Sequence, residues 1–174
     1  MISSRERSGE KQGVTSGNVM RLPRATYLLV LLDSNKQKPI IGRTALEKLT
    51  FLVEKKIIEE LKIGLSTDTY HFRPWRFGPF TEEVFDDLNA LQTVGLIAIE
   101  GEDEETQRFS VTENGHKSVQ RLVKTGRLAS LLYEEIDRIK TNYGKVSLMD
   151  LVERVYKEYP KFTERSEIKD SFMY

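Results

Sequence analysis

The chain has 174 residues, of which 39% are apolar and 31% are charged, enough for one domain with a hydrophobic core and an extension. The absence of cysteine excludes a disulfide framework, a thiol nucleophile and a thiolate metal site. No segment approaches the ~18 continuous apolar residues of a membrane span, and residues 1–20 lack the apolar stretch of a signal peptide. These features predict a soluble, cytoplasmic protein.

The net charge is zero, but the charges are unevenly distributed along the chain. Residues 66–105 contain ten acidic and two basic side chains, whereas residues 106–145 contain four acidic and eight basic ones. The acidic block covers the third helix and the hairpin predicted below. It therefore bears directly on the kind of partner that those elements can bind.

Residues 1–21 are rich in serine, glycine and charged residues, which predicts a flexible arm. A disordered tail is the favoured interpretation. The alternative is a basic arm that contacts nucleic acid, because five positive charges lie in this part of the chain. They are carried by Arg5, Arg7, Lys11, Arg21 and Arg24.

Two helices are predicted next. The first begins near Pro23, ends in a turn at residues 33–36 and is apolar on nearly all sides, so it should be buried. The second begins at residue 43 or 44 and continues to about Ile63, before Gly64. Its apolar residues recur at spacings of three and four, as on one face of a helix.

The third predicted helix has the clearest start and end signals of the predicted helices. Alternating aromatic residues at 70–72 predict a short strand before it, and Gly78 with Pro79 predicts the intervening turn. Thr81 is a suitable N-cap for the helix, and Gly95 is a suitable end.

A hairpin completes this part of the chain, with strands at residues 96–100 and 106–111 around a turn at residues 101–105. Helix, helix, short strand, helix and hairpin is the order of a winged helix-turn-helix, in which the hairpin is the wing. We therefore predict a mainly α fold with a small antiparallel β-hairpin, of the α+β class. The winged-helix domain should span residues 22–115.

Residues 116–174 are predicted to form a helical extension. A short basic helix covers residues 116–124, a longer one follows Gly126, and a last one lies between its N-cap Ser147 and Pro160. Their apolar stripes must pack on the winged helix or on another copy of the chain. A homodimer through the C-terminal helices is therefore one interpretation.

The sequence gives little support for catalysis. His71 and His116 belong to no metal-spaced cluster, and there is no glycine-rich phosphate loop or nucleophile elbow. The acidic pairs at residues 82–83 and 86–87 could act as paired carboxylates, but a solvated helix face is the favoured interpretation. We expect neither enzymatic activity nor a cofactor or metal.

The outward face of the third helix and the tip of the wing are acidic. In a DNA-binding winged helix the third helix enters the major groove, and Lys and Arg supply most of the affinity by neutralising phosphates. Here both elements would repel DNA, which favours a protein partner. The candidate contact residues are Glu82, Glu83, Asp86, Asn89, Thr93, Glu102, Asp103 and Glu104.

DNA binding through other surfaces remains an alternative. Two arginines flank Trp75 before the third helix, and four basic residues lie on or after the helix that follows the wing. With the N-terminal arm these residues could form a basic strip, although helix surfaces routinely carry Lys and Arg. The candidate nucleic-acid contacts are Arg73, Arg76, Lys117, Arg121, Lys124 and Arg127.

A family pattern is carried by residues 46–53 (LEKLTFLV), 70–88 (YHFRPWRFGPFTEEVFDDL) and 91–97 (LQTVGLI). Over residues 43–115 and part of the tail, the chain resembles the YwgA-like proteins of bacteria and archaea. It more distantly resembles the Panacea domain of SocA-type antitoxins. Both have a Lys-Leu pair on a helix, an aromatic strand, a Gly-Pro turn and a helix that ends in Gly-Leu-Ile.

The Panacea resemblance implies a domain that binds a protein, as an antitoxin binds its toxin. The YwgA-like resemblance implies a fold with no settled activity, and neither supplies catalytic residues. The leading hypothesis is therefore a non-enzymatic regulatory or adaptor module that binds a protein partner through the acidic third helix and wing. The alternative is a DNA-binding transcriptional regulator that uses its basic arm and the helix after the wing.

Overall fold

The computed structural model of the protein describes residues 22–63 and 68–172. The described residues form six α-helices: α1 (Arg24–Gln37), α2 (Arg43–Val53), α3 (Glu83–Thr93), α4 (Glu113–Val123), α5 (Arg127–Tyr143) and α6 (Leu148–Glu158). They also form five short strands: β1 (Ile40–Ile41), β2 (Arg73–Trp75), β3 (Gly78–Phe80), β4 (Ile97–Glu100) and β5 (Arg108–Val111). A π-helical segment (Glu54–Glu60) continues α2, and two 3₁₀ helices (Pro160–Thr163 and Lys169–Phe172) follow α6. The prediction of a mainly α fold with a small antiparallel sheet is confirmed. The predicted basic arm at residues 1–21 and the predicted helix stop at Gly64 lie outside the described residues.

The main sheet has the strand order β1-β5-β4, and both of its pairings are antiparallel. The predicted hairpin is confirmed as β4 and β5. The sequence analysis missed β1, because two residues are too few to show an alternating pattern. The strand nevertheless fixes the hairpin turn to the start of α2: the Gly42 amide donates to the Gln107 carbonyl (2.8 Å), and the Arg43 amide donates to the Glu104 carbonyl (2.9 Å).

A second, two-stranded sheet pairs β2 with β3 through Arg73 opposite Phe80. The prediction of a strand at residues 70–72 was wrong, since the strand begins only at Arg73. In this segment, side-chain carboxylates accept the hydrogen bonds that the backbone amides would otherwise donate to a neighbouring strand. The Tyr70 amide donates to Glu54 (3.0 Å), and the His71 amide donates to Glu83 (2.7 Å).

Helix α1, predicted to be buried, is buried from Tyr27 to Ser34 and leaves helical geometry at Ser34. Two side chains of α5 form hydrogen bonds with the backbone at the C-terminal end of α1. Lys140 Nζ donates to the carbonyls of Leu32 (3.0 Å) and Ser34 (2.8 Å), and the Asn35 amide donates to the Asp137 carboxylate (2.6 Å). These contacts tie the extension to the first helix.

The apolar stripes of the extension are covered within the chain, except that Leu148 at the start of α6 is 45% exposed. Leu132 and Ile136 of α5 and Val155 of α6 are fully buried, where α5 packs on α1 and α2, and α6 packs on α2. Phe51 of α2 adds edge-to-face contacts with Tyr159 and with the 3₁₀ helix that follows. The stripes themselves therefore give no reason for a second copy.

The predicted helix ends are mostly correct. Ser147 caps α6 by accepting from the Asp150 amide (3.1 Å), as predicted. Gly95, at a φ of 77°, ends α3 with the paired hydrogen bonds of a Schellman motif. The predicted cap Thr81 lies one residue before the observed cap, although its hydroxyl still accepts from the Glu83 amide (3.3 Å).

Helix α4 begins three residues before the predicted start at residue 116. Thr112 caps it by accepting from the Gly115 amide (3.1 Å). Gly115 lies in the first turn of this helix, against Leu96, the residue before β4. A Cβ atom added there would stand 2.0 Å from the Leu96 carbonyl oxygen.

We therefore expect Gly115→Ala to lower the free energy of unfolding by about 1–3 kcal/mol or more, because the backbone of β4 must move. Urea denaturation followed by circular dichroism measures this change. Gly126→Ala is the matched control, since an added Cβ there meets nothing within 4 Å. An equal loss in both variants would show that the close approach at Gly115 is unimportant.

Candidate partner-binding surface

One face of α3 is exposed and acidic. Glu82, Asp86, Asn89 and Thr93 recur every three or four residues, and all four are exposed. Neither Glu82 nor Asp86 forms an ion pair with another described residue. This face of α3 therefore carries two carboxylates that an incoming cation could neutralise.

Glu83, predicted as part of the same contact face, is instead engaged inside the protein. Its carboxylate accepts from the His71 amide (2.7 Å), contacts the His71 ring (3.0 Å) and pairs with Arg24 Nη1 (3.2 Å). Burial opposes ionisation, but the His71 hydrogen bonds and the Arg24 charge outweigh it and lower the pKa of Glu83 to about 2. Glu83 therefore holds α3 to the preceding segment and to α1.

Arg24, assigned to the basic arm in the sequence analysis, belongs to this internal network as well. Its Nε atom pairs with Asp87 (2.9 Å), and its guanidinium lies over the Tyr70 ring (4.8 Å). The Tyr70 hydroxyl donates to the same Asp87 carboxylate (2.8 Å), and burial with this neighbouring charge raises the pKa of Tyr70. The charge of Arg24 is thus used within the fold.

The hairpin turn between β4 and β5, called the wing here, adds further acidic groups beside α3. Glu102 and Asp103 are exposed, and neither is ion-paired to a described residue. Glu104 differs, because it pairs with Arg43 Nη1 (3.0 Å) while the same guanidinium lies over the Phe85 ring (4.7 Å). A cavity of about 190 Å³ is lined by residues of α3 and of the β4–β5 hairpin, among them Asn89 of the acidic face and Gln107 of the wing. The α3 face and the wing thus border one cavity.

The six candidate basic residues fall into two sets. Arg73 and Arg76 lie on the β2–β3 hairpin, which packs on α2 and α6, whereas the others lie at α4 and its junction with α5, which pack on α1. Arg73 stacks over Trp75 (4.7 Å), and Arg76 pairs with Glu167 (3.2 Å).

The second basic set is the less neutralised one. Lys117 pairs with Glu113 (3.1 Å). Arg121, Lys124 and Arg127 are exposed, and no carboxylate among the described residues pairs with them. This end of α4 therefore keeps three uncompensated positive charges.

A buried ion pair lies behind the β2–β3 hairpin. Lys48 is 1% exposed, donates to the Pro79 carbonyl (2.8 Å) and stands 3.8 Å from the Glu47 carboxylate. Burial lowers the pKa of Lys48 and raises that of Glu47. The sequence pattern gave no sign of this burial, because Lys and Glu usually mark the solvated face of a helix.

The two histidines are each held by a carboxylate. His71 is exposed beside Glu83, and His116 Nδ1 lies 2.6 Å from the buried Asp33 carboxylate. Within residues 22–63 and 68–172, no group of His, Asp and Glu side chains could hold a metal ion. None of the described helices is long and apolar enough to cross a membrane. No protein-family model and no curated protein matches this chain.

The depressed pKa of Glu83 makes a pH-dependent contribution to stability. Since its folded-state pKa lies below the ordinary value of 4.5, the stabilisation is complete above that value and is lost as the pH falls toward about 2. Glu83→Gln should therefore lower the free energy of unfolding by about 1–2 kcal/mol at pH 7, after allowance for its partial exposure. Urea denaturation at pH 7, 4 and 3 should show the difference from the unmodified protein shrinking at the lowest pH.

Asp86→Asn is the control for this measurement, because Asp86 is exposed on the same helical turn and has no comparable hydrogen bonds. It should change the free energy of unfolding by less than about 1 kcal/mol. A Glu83→Gln effect that is equally small, or independent of pH, would contradict a stabilising role for the network.

Proposed function

We propose that this protein is a non-enzymatic regulatory or adaptor module that binds a protein partner through the exposed acidic surface of α3 and the wing. The observation that carries the proposal is the set of exposed carboxylates on α3 and the wing, without ion-pair partners among the described residues. The set consists of Glu82, Asp86, Glu102 and Asp103. Such a surface complements a basic patch on another protein and repels a polyanion.

The order of the elements supports a winged-helix interpretation. A helix, a short strand, two helices and a hairpin follow one another, with the smaller β2–β3 sheet between α2 and α3. The first strand pairs with the last to give the order β1-β5-β4. In DNA-binding winged helices, α3 is the element that contacts the ligand, and here it carries two unpaired carboxylates. A cytoplasmic location remains part of the proposal.

The resemblance to YwgA-like and Panacea proteins also remains a proposal. Two of the four shared features, the Lys-Leu pair on α2 and the Gly-Pro sequence, are in direct contact, since Lys48 donates to the Pro79 carbonyl. The prediction of a turn at Gly78 and Pro79 was wrong, because both residues lie in strand β3 and the turn precedes them. The contact between Lys48 and Pro79 gives the motif a structural role without implying catalysis. The resemblance to Panacea proteins is consistent with a protein partner.

Charge reversal on α3 tests the proposal. Glu82→Lys with Asp86→Lys should abolish capture of the partner from a lysate of the source organism and leave the fold intact, because both side chains are exposed. The matched control is Glu134→Lys with Glu164→Lys, which makes the same charge change at two other exposed sites. Retained capture by the α3 variant, with unchanged circular dichroism, would sink the proposal.

A second candidate function is DNA binding through the end of α4. The specific observation in its favour is the uncompensated charge of Arg121, Lys124 and Arg127. This function would place the duplex against α4 and the start of α5.

A salt titration with random duplex DNA, followed by fluorescence anisotropy, tests this candidate. DNA binding predicts micromolar affinity at low salt, and Arg121→Ala with Lys124→Ala should reduce the slope of log K against log salt by about 1 per residue removed. The Glu82→Lys and Asp86→Lys variant should then bind as well or better. No binding at low salt would exclude the candidate.

A further inference from the structure

Exposed apolar side chains are concentrated around the start of α6. The described residues include seven large hydrophobic side chains that are exposed, and four of these line two adjoining cavities. They are Ile41 (50% exposed), Phe77 (43%), Leu148 (45%) and Met149 (47%). Concentrated exposed apolar surface of this kind marks a binding site more often than scattered single residues do.

The larger of the two cavities is an apolar groove of about 410 Å³, walled by Phe77 on one side and by Leu148, Met149 and Val152 of α6 on the other. Leu148 also lines the second cavity, of about 220 Å³, together with Ile41. An apolar side chain of a partner could therefore be buried on either side of Leu148. Buried anchors of this kind supply most of the affinity of protein interfaces.

The rim of the apolar groove is acidic on the side of the wing. Glu105 of the wing lines the groove, and Glu102 and Asp103 precede it in the same turn; all three are exposed and not ion-paired with any described residue. The two arginines that are next in sequence to groove residues are already neutralised, Arg43 by Glu104 (3.0 Å) and Arg76 by Glu167 (3.2 Å).

Two lysines at or next to the lining of these cavities add positive charge, but the charge at the wing remains negative. Lys38 lines the smaller cavity, away from the wing, and Lys169 follows Ile168 of the groove. The negative charge is thus concentrated where the groove meets the wing. A partner should present its basic residues on that side.

We propose that the apolar groove binds one large apolar side chain of the protein partner, flanked by Lys or Arg residues that face Glu105 and the other exposed carboxylates of the wing. The inference rests on the proposed function, because the wing that carries the acidic groups also supplies Glu105 and Thr106 to the groove. A second copy of this chain is the poorer occupant. In a two-fold interface the same acidic rim would face itself, and like charges oppose association.

Selection from a displayed library of random 16-residue peptides tests the groove with the full chain. The enriched peptides should carry a large apolar residue flanked by Lys or Arg. A synthetic peptide of that consensus should bind in a fluorescence anisotropy titration and change the emission of Trp75, the one tryptophan in the sequence. Its binding should weaken as salt is added.

Three variants locate the binding. Met149→Lys should weaken binding of the synthetic peptide at least tenfold, and Glu105→Lys should weaken it and flatten its salt dependence. Leu131→Lys is the matched control, since Leu131 is an exposed leucine on α5, and this variant should bind as the unmodified protein does. Peptides without an apolar anchor, acidic peptides, or no enrichment above that seen with Met149→Lys would overturn the inference.

The same variants separate this inference from the proposed function. If Glu82→Lys with Asp86→Lys abolishes partner capture while Met149→Lys leaves it intact, the groove is not the binding site and the proposed function stands. If Met149→Lys abolishes capture and the α3 variant does not, the groove stands and the α3 surface falls. Thermal melts of every variant show that loss of binding is not loss of fold.

Discussion

The buried contact between Lys48 and the Pro79 carbonyl is the interaction on which the arrangement of the surface depends. Three elements meet there. The Thr81 amide before α3 donates to Glu47 on the same turn of α2, and a Cβ atom added at Gly78 would stand 2.7 Å from the Tyr156 ring of α6. A buried ion pair costs desolvation energy that its attraction offsets only with good geometry, and one Glu47 oxygen is left without a hydrogen-bond partner among the described residues. We infer that the Lys48–Glu47 pair mainly fixes the positions of the β2–β3 hairpin and of α3 relative to α2. Its contribution to stability is smaller.

The carboxylates of α3 have two separate tasks, which follow from the helical period of 3.6 residues. Glu83 and Asp87 lie four residues apart and face α1, where Arg24 neutralises both. Glu82 and Asp86 are displaced by one residue and face outward. The acidic composition of this helix therefore overstates its outward negative charge about twofold, since two of the four carboxylates face α1. The inward-facing pair, Glu83 and Asp87, fixes α3 to α1 through Arg24. The outward-facing pair, Glu82 and Asp86, is therefore held on a rigid helix.

The sequence predicted the features that local chemistry decides. The Ser147 cap, the end of α3 at Gly95 and the hairpin at β4 and β5 each depend on a few adjacent residues, and each is observed. The errors concern contacts between distant parts of the chain. Residues 70–72 look like a strand until Glu54 and Glu83 bind their amides, and no periodic pattern could indicate this.

The candidate surface was predictable to a similar extent. Composition identified the acidic helix and wing, but only the fold separates Glu83 from the exposed carboxylates and pairs Arg24 with Glu83 and Asp87. The apolar groove was beyond sequence reasoning, because Phe77 and Met149 are far apart in the chain and each has the appearance of an ordinary core residue. The charge pattern along a chain thus predicts the sign of the surface charge, whereas packing in the fold decides which residues lie on that surface.

The position of the wing gives the proposed surface its most useful physical property. The wing lies between the cavity beside α3 and the apolar groove, and backbone hydrogen bonds from Gly42 and Arg43 hold it to the start of α2. Hairpin turns are often mobile, and a mobile one would lose conformational entropy when a partner ordered it. Here that ordering is supplied by folding, because strand β1 and the Arg43–Glu104 pair fix the turn before any partner arrives. A preorganised acidic ridge between two cavities favours a partner of complementary shape as well as charge, and this combination discriminates among the many basic proteins of a cell better than charge alone.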